Sequence, residues 1–157
     1  MIRFGFYPCS LGTLVIGYTD DAIVSVKLET DQDRPHCPSP LTDFAAAQIE
    51  EYFQGTRKDF DLPVCATGTA FQMAVWQEMR QIPYGETRTY GQIAEALGNP
   101  KASRAVGQAA NRNPLWILIP CHRVVGKSGN LAGYAGGISM KQALLELEQT
   151  HKNTPEA

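Results

Sequence analysis

Between residues 96 and 145 the sequence contains no aspartate or glutamate, although Lys101, Arg104, Arg112, Arg123, Lys127 and Lys141 all lie there. The chain as a whole carries a net charge of −2, which argues against a general polyanion binder. The charge is unevenly spread. Residues 1–63 hold five Lys/Arg against ten Asp/Glu, whereas residues 64–157 hold nine against six. A chance bias is the weaker reading of so long an acid-free stretch. The second half is expected to meet a polyanion.

Other absences narrow the class further. No apolar run approaches the roughly 20 residues of a membrane span. The first residues, Met1-Ile2-Arg3-Phe4-Gly5, lack the pattern of a secretory signal, so a cytoplasmic address is expected. The four cysteines, Cys9, Cys37, Cys65 and Cys121, form no C-x-x-C pair and are expected to be reduced thiols. His36-Cys37 with Cys9 or Cys65 matches no standard zinc spacing, and no metal is expected. What is present suits a globular protein: 157 residues, 43% hydrophobic and 19% charged, support one domain or two small ones with a real core.

Residues 2–7, 12–18 and 22–28 are aromatic or β-branched, and turn residues separate them, so they predict a small antiparallel sheet. Residues 30–40 carry several prolines and aspartates and predict a loop. Residues 41–54 predict a helix with Phe44, Ala45, Gln48, Ile49, Tyr52 and Phe53 as its apolar stripe and Gly55 after its end. The boundary of a first domain, 1–63, is placed near Pro63, with a second domain over 64–157.

Two capping boxes open the second half. Thr69-Ala70-Phe71-Gln72 starts a helix expected to run to about Gln81 and to bury Phe71, Val75 and Met79. Thr89-Tyr90-Gly91-Gln92 starts a short helix ended by Gly98. Asn99, followed by Pro100, is expected to cap a third helix running to about Asn111. Two short helices joined in this way predict a helix-turn-helix. Ala102, Ala105, Val106, Ala109 and Ala110 lie at core spacing in the third helix, leaving Ser103, Arg104, Gly107, Gln108 and Asn111 outside. Small exposed side chains allow close approach to a nucleic-acid groove, and the single arginine can insert or bond there. A solvated helical hairpin is the plainer alternative, and the surrounding basic stretch favours DNA.

Ile117-Leu118-Ile119-Pro120-Cys121-His122-Arg123-Val124-Val125 follows. The apolar run predicts a buried strand that stops at Pro120, because proline has no ladder donor. A cysteine among apolar residues is more often inert core than reactive. Here it stands before two basic residues, and nearby cations stabilise the nucleophilic thiolate. Residues 126–137 form a glycine-rich loop in which Leu131 and Tyr134 suit pocket walls, and Ser139 is expected to cap a last helix that packs Leu144, Leu145 and Leu147 inward and carries Glu148 near its end.

Together, Ile-Pro-Cys-His-Arg-Val at 119–124, Arg104-Ala105-Val106-Gly107 and Asn111-Arg112-Asn113-Pro114 make the chain resemble the O6-alkylguanine-DNA alkyltransferases, also called methylated-DNA–protein-cysteine methyltransferases. The resemblance covers about residues 69–148, with a looser match at Leu11-Gly12-Thr13-Leu14. It implies an α+β fold: a small N-terminal antiparallel sheet with a helix (RNase H-like), then a helical domain with a winged helix-turn-helix. It further implies direct repair, in which O6-alkylguanine is flipped from double-stranded DNA through minor-groove binding and its alkyl group passes irreversibly to Cys121. O4-alkylthymine is a further candidate substrate. No cofactor is implied.

The family's roles map onto this sequence position by position. Cys121 is the nucleophile, His122 its base through a water, Glu148 the carboxylate that orients His122, and Asn113 the residue that holds the turn around Cys121. Ser103, Arg104, Ala105, Gly107, Arg112 and Arg123 are expected at the DNA, with Arg104 entering the stack. Tyr90, Val124, Tyr134, Ala135 and Gly136 are expected around the alkylguanine, and Tyr90 also at the rotated phosphate. Ala135 stands where some members carry serine, so one hydroxyl contact is lost. Some members bind zinc in the N-terminal domain, and no matching ligand set is found here. Others replace the cysteine with tryptophan and only bind lesions, a reading that Cys121 disfavours. The resemblance further implies a monomer in solution, with cooperative assembly on DNA left open, and no membrane partner. Two other readings compete: a lesion-binding helix-turn-helix regulator that does not need Cys121, and a thiol hydrolase using the Cys-His-Glu set. The hydrolase leaves the basic helix unexplained.

Overall fold

The structure, a computed structural model, describes residues 1–29, 34–129, 138–153 and 155. The chain divides into two compact units. Of the described residues, those within 1–67 and 114–118, with 155, form the first, and those within 68–113 and 119–153 form the second.

The first unit is built on β1 (Arg3–Cys9), β2 (Gly12–Tyr18) and β3 (Ile23–Leu28), an antiparallel sheet in the order β1-β2-β3. Its register places Phe6 opposite Val15 and Ile16 opposite Val26. Leu14, Ile16, Ile23 and Val26 are fully buried. Helix α1 (Pro40–Phe53) starts with a capping box between Ser39 and Thr42, with Pro40 in the first turn, where its missing amide costs nothing. It buries Thr42, Ala45, Gln48, Ile49 and Tyr52. Phe44, expected in the stripe, is 57% exposed, because it falls off the face defined by positions 42, 45, 49 and 52. Buried Gln48 exchanges hydrogen bonds with the backbone of Asp61 and so fastens the segment after α1.

Residues 114–118 belong to this unit and not to a strand ending in the cysteine. Val26 donates its amide to Pro114 O at 2.8 Å and accepts from the Trp116 amide at 3.2 Å. Leu115 thus makes a single parallel bridge with Val26. The expected buried strand is corrected here: after this bridge the chain turns, and Ile117 takes a φ of 71°. Left-handed backbone is strained for a β-branched residue and breaks strand geometry.

The second unit contains α2 (Ala70–Met79), β4 (Arg88–Thr89), α3 (Tyr90–Ala96), α4 (Ser103–Asn111), a 3-10 turn (Cys121–Arg123), β5 (Val124–Val125) and α5 (Ile138–His151). Both expected capping boxes are present, Thr69 with Gln72 and Thr89 with Gln92. A hydroxyl cap of this kind contributes about 0.5–2 kcal/mol. Val75, Trp76 and Met79 are buried on α2, and the Trp76 indole donates to Ala109 O at 2.8 Å, locking α2 to α4. Phe71, expected in that core, is 36% exposed at the first turn. α3 and α4 are joined by a turn in which Gly98 has φ 79°. Asn99 does not cap α4: the Ala102 amide bonds back to Asn99 O at 3.0 Å, and the helix begins at Ser103 with Ala102 as an uncapped start. The proline is spent on that turn. β4 and β5 pair in parallel, Arg88 with Val124. On α5, Leu144 is buried, Leu145 and Leu147 are half-buried, and Ser139 lies inside the helix rather than at its cap. Among the described residues no helix is long and apolar enough to cross a membrane.

Candidate active site

The thiol stands at a tight bend. Pro120 has φ −80° and ψ 65°, and the Cys121 amide bonds Ile119 O at 2.8 Å. These values define an inverse γ-turn. The same carbonyl accepts from Asn113 Nδ2 at 2.9 Å, tying the end of α4 to the bend. Cys121 then opens the 3-10 turn with 7% exposure, and His122 beside it is fully buried. The sequence expectation of a strand end presenting the thiol is therefore replaced by a γ-turn and a helical turn.

Behind the thiol lies a buried charge network. His122 Nε2 sits 2.6 Å from Glu148 Oε2. Arg123 donates to the same carboxylate twice, Nε to Oε1 at 2.9 Å and Nη2 to Oε2 at 3.1 Å. The Gly85 amide adds a bond to Oε1 at 3.0 Å. Burial pushes the Glu148 carboxyl up, but the bonds and charges of His122 and Arg123 outweigh it and hold the group at about 2. Glu148 is therefore an anion that only accepts. His122 is pushed down, first by burial; the bond and charge of Glu148 oppose this, while the charges of Arg123 and Lys141 add to it. A neutral imidazole facing an ionised carboxylate must carry its hydrogen on Nε2. Nδ1 is then the basic nitrogen.

Arg123 is corrected from a DNA contact to an internal one. It is 7% exposed, its Nη1 donates to Ile82 O at 2.7 Å, and its guanidinium lies 5.6 Å from the Tyr84 ring centroid. A planar fork can satisfy a carboxylate and a carbonyl together, which suits arginine to burial.

Sequence reasoning assigned no role to Lys141. It is fully buried on α5, its Nζ donating to Tyr90 Oη at 3.4 Å and lying 5.6 Å from that ring's centroid. Lys141, Leu144 and Glu148 fall at i, i+3 and i+7, one face of α5. That spacing, in an acid-free stretch, was the signal available. Burial pushes the Tyr90 phenol up, and the charge of Cys121 adds to the shift.

The other expected residues divide. Arg104 and Arg112 are exposed, and Ser103, Ala105 and Gly107 are half-buried along α4. A Cβ at Gly107 would meet the Tyr90 ring at 3.8 Å, so α4 and Tyr90 are neighbours. Val124 is fully buried. Tyr134, Ala135 and Gly136 lie outside the described residues. All four cysteines are free thiols, and among the described residues no group of three or more His, Cys, Asp or Glu is placed to hold a metal.

The sequence and the fold match a known family. The family described as 6-O-methylguanine DNA methyltransferase, DNA binding domain, matches residues 70–150, and its ribonuclease-like domain matches residues 2–66. The chain belongs to the methylated-DNA–protein-cysteine methyltransferase family. It is 47% identical over 149 residues to the constitutive methylated-DNA–protein-cysteine methyltransferase of Bacillus subtilis, covering 88% of this chain and 90% of that one. It is 58% identical over 104 residues to the Methanosarcina acetivorans methyltransferase, covering 66% and 67%. The crystal structure of Mycobacterium tuberculosis OGT in complex with DNA matches with a TM-score of 0.86 at 40% identity, covering 98% of this chain and 95% of that one. In family terms, the sheet and α1 form the ribonuclease-like domain. The charge network around Cys121 falls in the DNA-binding domain.

Proposed function

We propose that this protein repairs DNA by taking the alkyl group of O6-alkylguanine onto Cys121 Sγ, once per molecule. One observation carries this reading. Of the four cysteines, Cys121 alone lies in the matched DNA-binding domain, and it adjoins a buried His122–Glu148 pair.

The chemistry is a displacement at saturated carbon. His122 Nδ1 takes the thiol proton through a water, because Glu148 occupies Nε2. The thiolate attacks the alkyl carbon, a carbon–sulfur bond forms, and the carbon–O6 bond breaks. Its electron pair stays on guanine, which recovers a proton. A thioether offers no easy return to thiol, so each molecule is used once. The target atom is inaccessible inside a duplex, so the nucleotide is flipped into the site.

α4 meets DNA from the minor groove, with Ser103, Ala105 and Gly107 allowing close approach and exposed Arg104 filling the gap left by the base. Arg112, also exposed, contributes to the backbone contacts. Tyr90, Val124, Tyr134, Ala135 and Gly136 surround the base. Asn113 holds the bend at Cys121 through Ile119 O. The protein acts as a monomer in the cytoplasm and uses no cofactor.

The test is the intact mass after incubation with duplex DNA containing O6-methylguanine, beside Cys121→Ser. A gain of one methyl on the Cys121 peptide, absent from the variant, is expected. Tight lesion binding with no mass gain would instead make the protein a sensor.

A further inference from the structure

Glu148 is held by side chains and by backbone. His122 and Arg123 reach it from the 3-10 turn. A further donor is the backbone amide of Gly85, at 3.0 Å. A side-chain donor can be re-aimed by rotating its own bonds. A peptide amide points where the chain around it dictates, so the conformation of residues 83–86 decides whether this bond exists.

That conformation is identifiable. The Glu86 amide bonds Pro83 O at 3.1 Å and closes a β-turn. Gly85, third in the turn, has a φ of 81°, and Tyr84 before it does not share the positive φ. This is the type II form. Types I and II differ by about a half-rotation of the central peptide, here Tyr84–Gly85. In type II that peptide turns its N–H toward Glu148. In type I it would present the Tyr84 carbonyl on that side, an oxygen facing a carboxylate. A positive φ at the third position suits glycine or asparagine, and other residues favour type I. Glycine has a second reason to stand here. A Cβ on Gly85 would lie 2.8 Å from the Cβ of Lys152, just beyond α5. Its absence lets the turn close on the helix, where the Gly85 carbonyl accepts from Gln149 Nε2 at 2.8 Å. The same stretch seats Arg123, through Ile82 O and the Tyr84 ring.

We propose that Gly85 is a positioning residue for the transfer reaction: by holding residues 83–86 in the type II form it aims the Tyr84–Gly85 amide at Glu148, and so fixes the carboxylate against His122. The inference rests on His122 being the base of the Cys121 reaction. Gly85 touches no reacting atom. It acts through Glu148, which keeps the hydrogen of His122 on Nε2 and leaves Nδ1 as the basic nitrogen. With the amide turned away, the carboxylate shifts toward its other donors and the imidazole populates both tautomers.

The experiment uses the full chain with Lys152→Gly, which makes room for a Cβ, and replaces Gly85 in it by alanine or by asparagine. Alanine favours the type I form, whereas asparagine accepts type II. The His122 ring is followed by two-bond 1H–15N NMR near neutral pH, with His36→Gln and His151→Gln leaving it the one histidine. Lys152→Gly alone and with Gly85→Asn is expected to show the Nε2–H tautomer. Gly85→Ala is expected to show a mixture with the Nδ1–H form. Single-turnover methyl transfer from duplex DNA containing O6-methylguanine should then be roughly ten- to a hundredfold slower in Gly85→Ala at saturating DNA, with the half-saturating concentration unchanged. Gly85→Asn should restore the rate. A turn that merely supports the fold would lower the melting temperature and leave the tautomer and the rate alone. A single tautomer in Gly85→Ala, or a rate equal to that of Gly85→Asn, therefore overturns the proposal. If Gly85→Ala does not fold, Gln149→Met carries the test: it removes the side-chain bond that seats the turn and leaves the turn's own sequence intact. A tautomer mixture is again expected, and an unchanged ring overturns the proposal. The tautomer is read without DNA, so failure of the wild type to accept a methyl refutes the transferase reading separately.

Discussion

Each unit of this protein contains a polar cluster, and the two are built on different terms. In the first unit, the Tyr7 hydroxyl bonds Asp43 at 2.6 Å and Thr42 at 2.7 Å, at the margin of the sheet and α1. In the second, His122, Arg123, Lys141 and Glu148 are all buried, and Glu148 gathers four donor contacts. Polar groups at a margin keep access to water, so their bonds contribute modestly and can be exchanged. Charges wholly withdrawn from water persist only if every partner is in place. The difference separates a cluster that fastens a helix to a sheet from one that lies buried beside a thiol.

Glu148→Gln should separate the two clusters most sharply. It leaves Arg123 buried without its anion, and a loss of about 3–5 kcal/mol in urea unfolding is expected. Proton linkage sharpens this. The folded Glu148 carboxyl is held at about 2, below its ordinary 4.5. Its contribution is therefore present above pH 4.5 and is lost as pH falls toward 2. Wild-type unfolding measured over that window should show the loss, and Glu148→Gln should lack this component. An identical pH profile in both would place the network's stability elsewhere.

Arg104→Ala acts on the exposed face of the same unit. It is expected to weaken binding of lesion-bearing duplex by about 1–3 kcal/mol in a fluorescence titration, with unfolding shifted by less than about 0.5 kcal/mol. Unaltered binding would remove α4 from the DNA surface.

Tyr7→Phe is the smallest perturbation and belongs to the first unit. A stability loss of about 1 kcal/mol is expected, with methyl transfer unchanged. Burial, then the Asp43 contact, pushes the Tyr7 phenol up to about 12 from 10.0. Its contribution is thus full below pH 10 and fades as pH rises toward 12, which alkaline unfolding of the two proteins would detect. A marked loss of transfer would break the contrast between the units.

Much of the framework was legible along the chain. The capping threonines Thr69 and Thr89 announce α2 and α3, and the β-branched run of 22–28 between turn residues announces β3. Pro120-Cys121-His122-Arg123 marked the site. The strand expected before it was wrong, because an apolar run records burial and not backbone conformation. Ile117 is 2% exposed, yet its φ is 71°. Asn99 and Pro100 likewise read as a cap because their chemistry suits one, and the same two residues also suit the turn that the chain makes there.

Caps and strand alternation depend on groups within about four residues of one another, and here the sequence alone determined them. Arg123 and Lys141 were different: each looked like a solvated cation in a basic stretch. What made Arg123 a clamp on a carboxylate was Glu148, 25 residues away, and Ile82, 41 residues away. What made Lys141 part of the site was Tyr90, 51 residues away. Desolvation depends on everything packed around a charge, and only the tertiary structure assembles those neighbours.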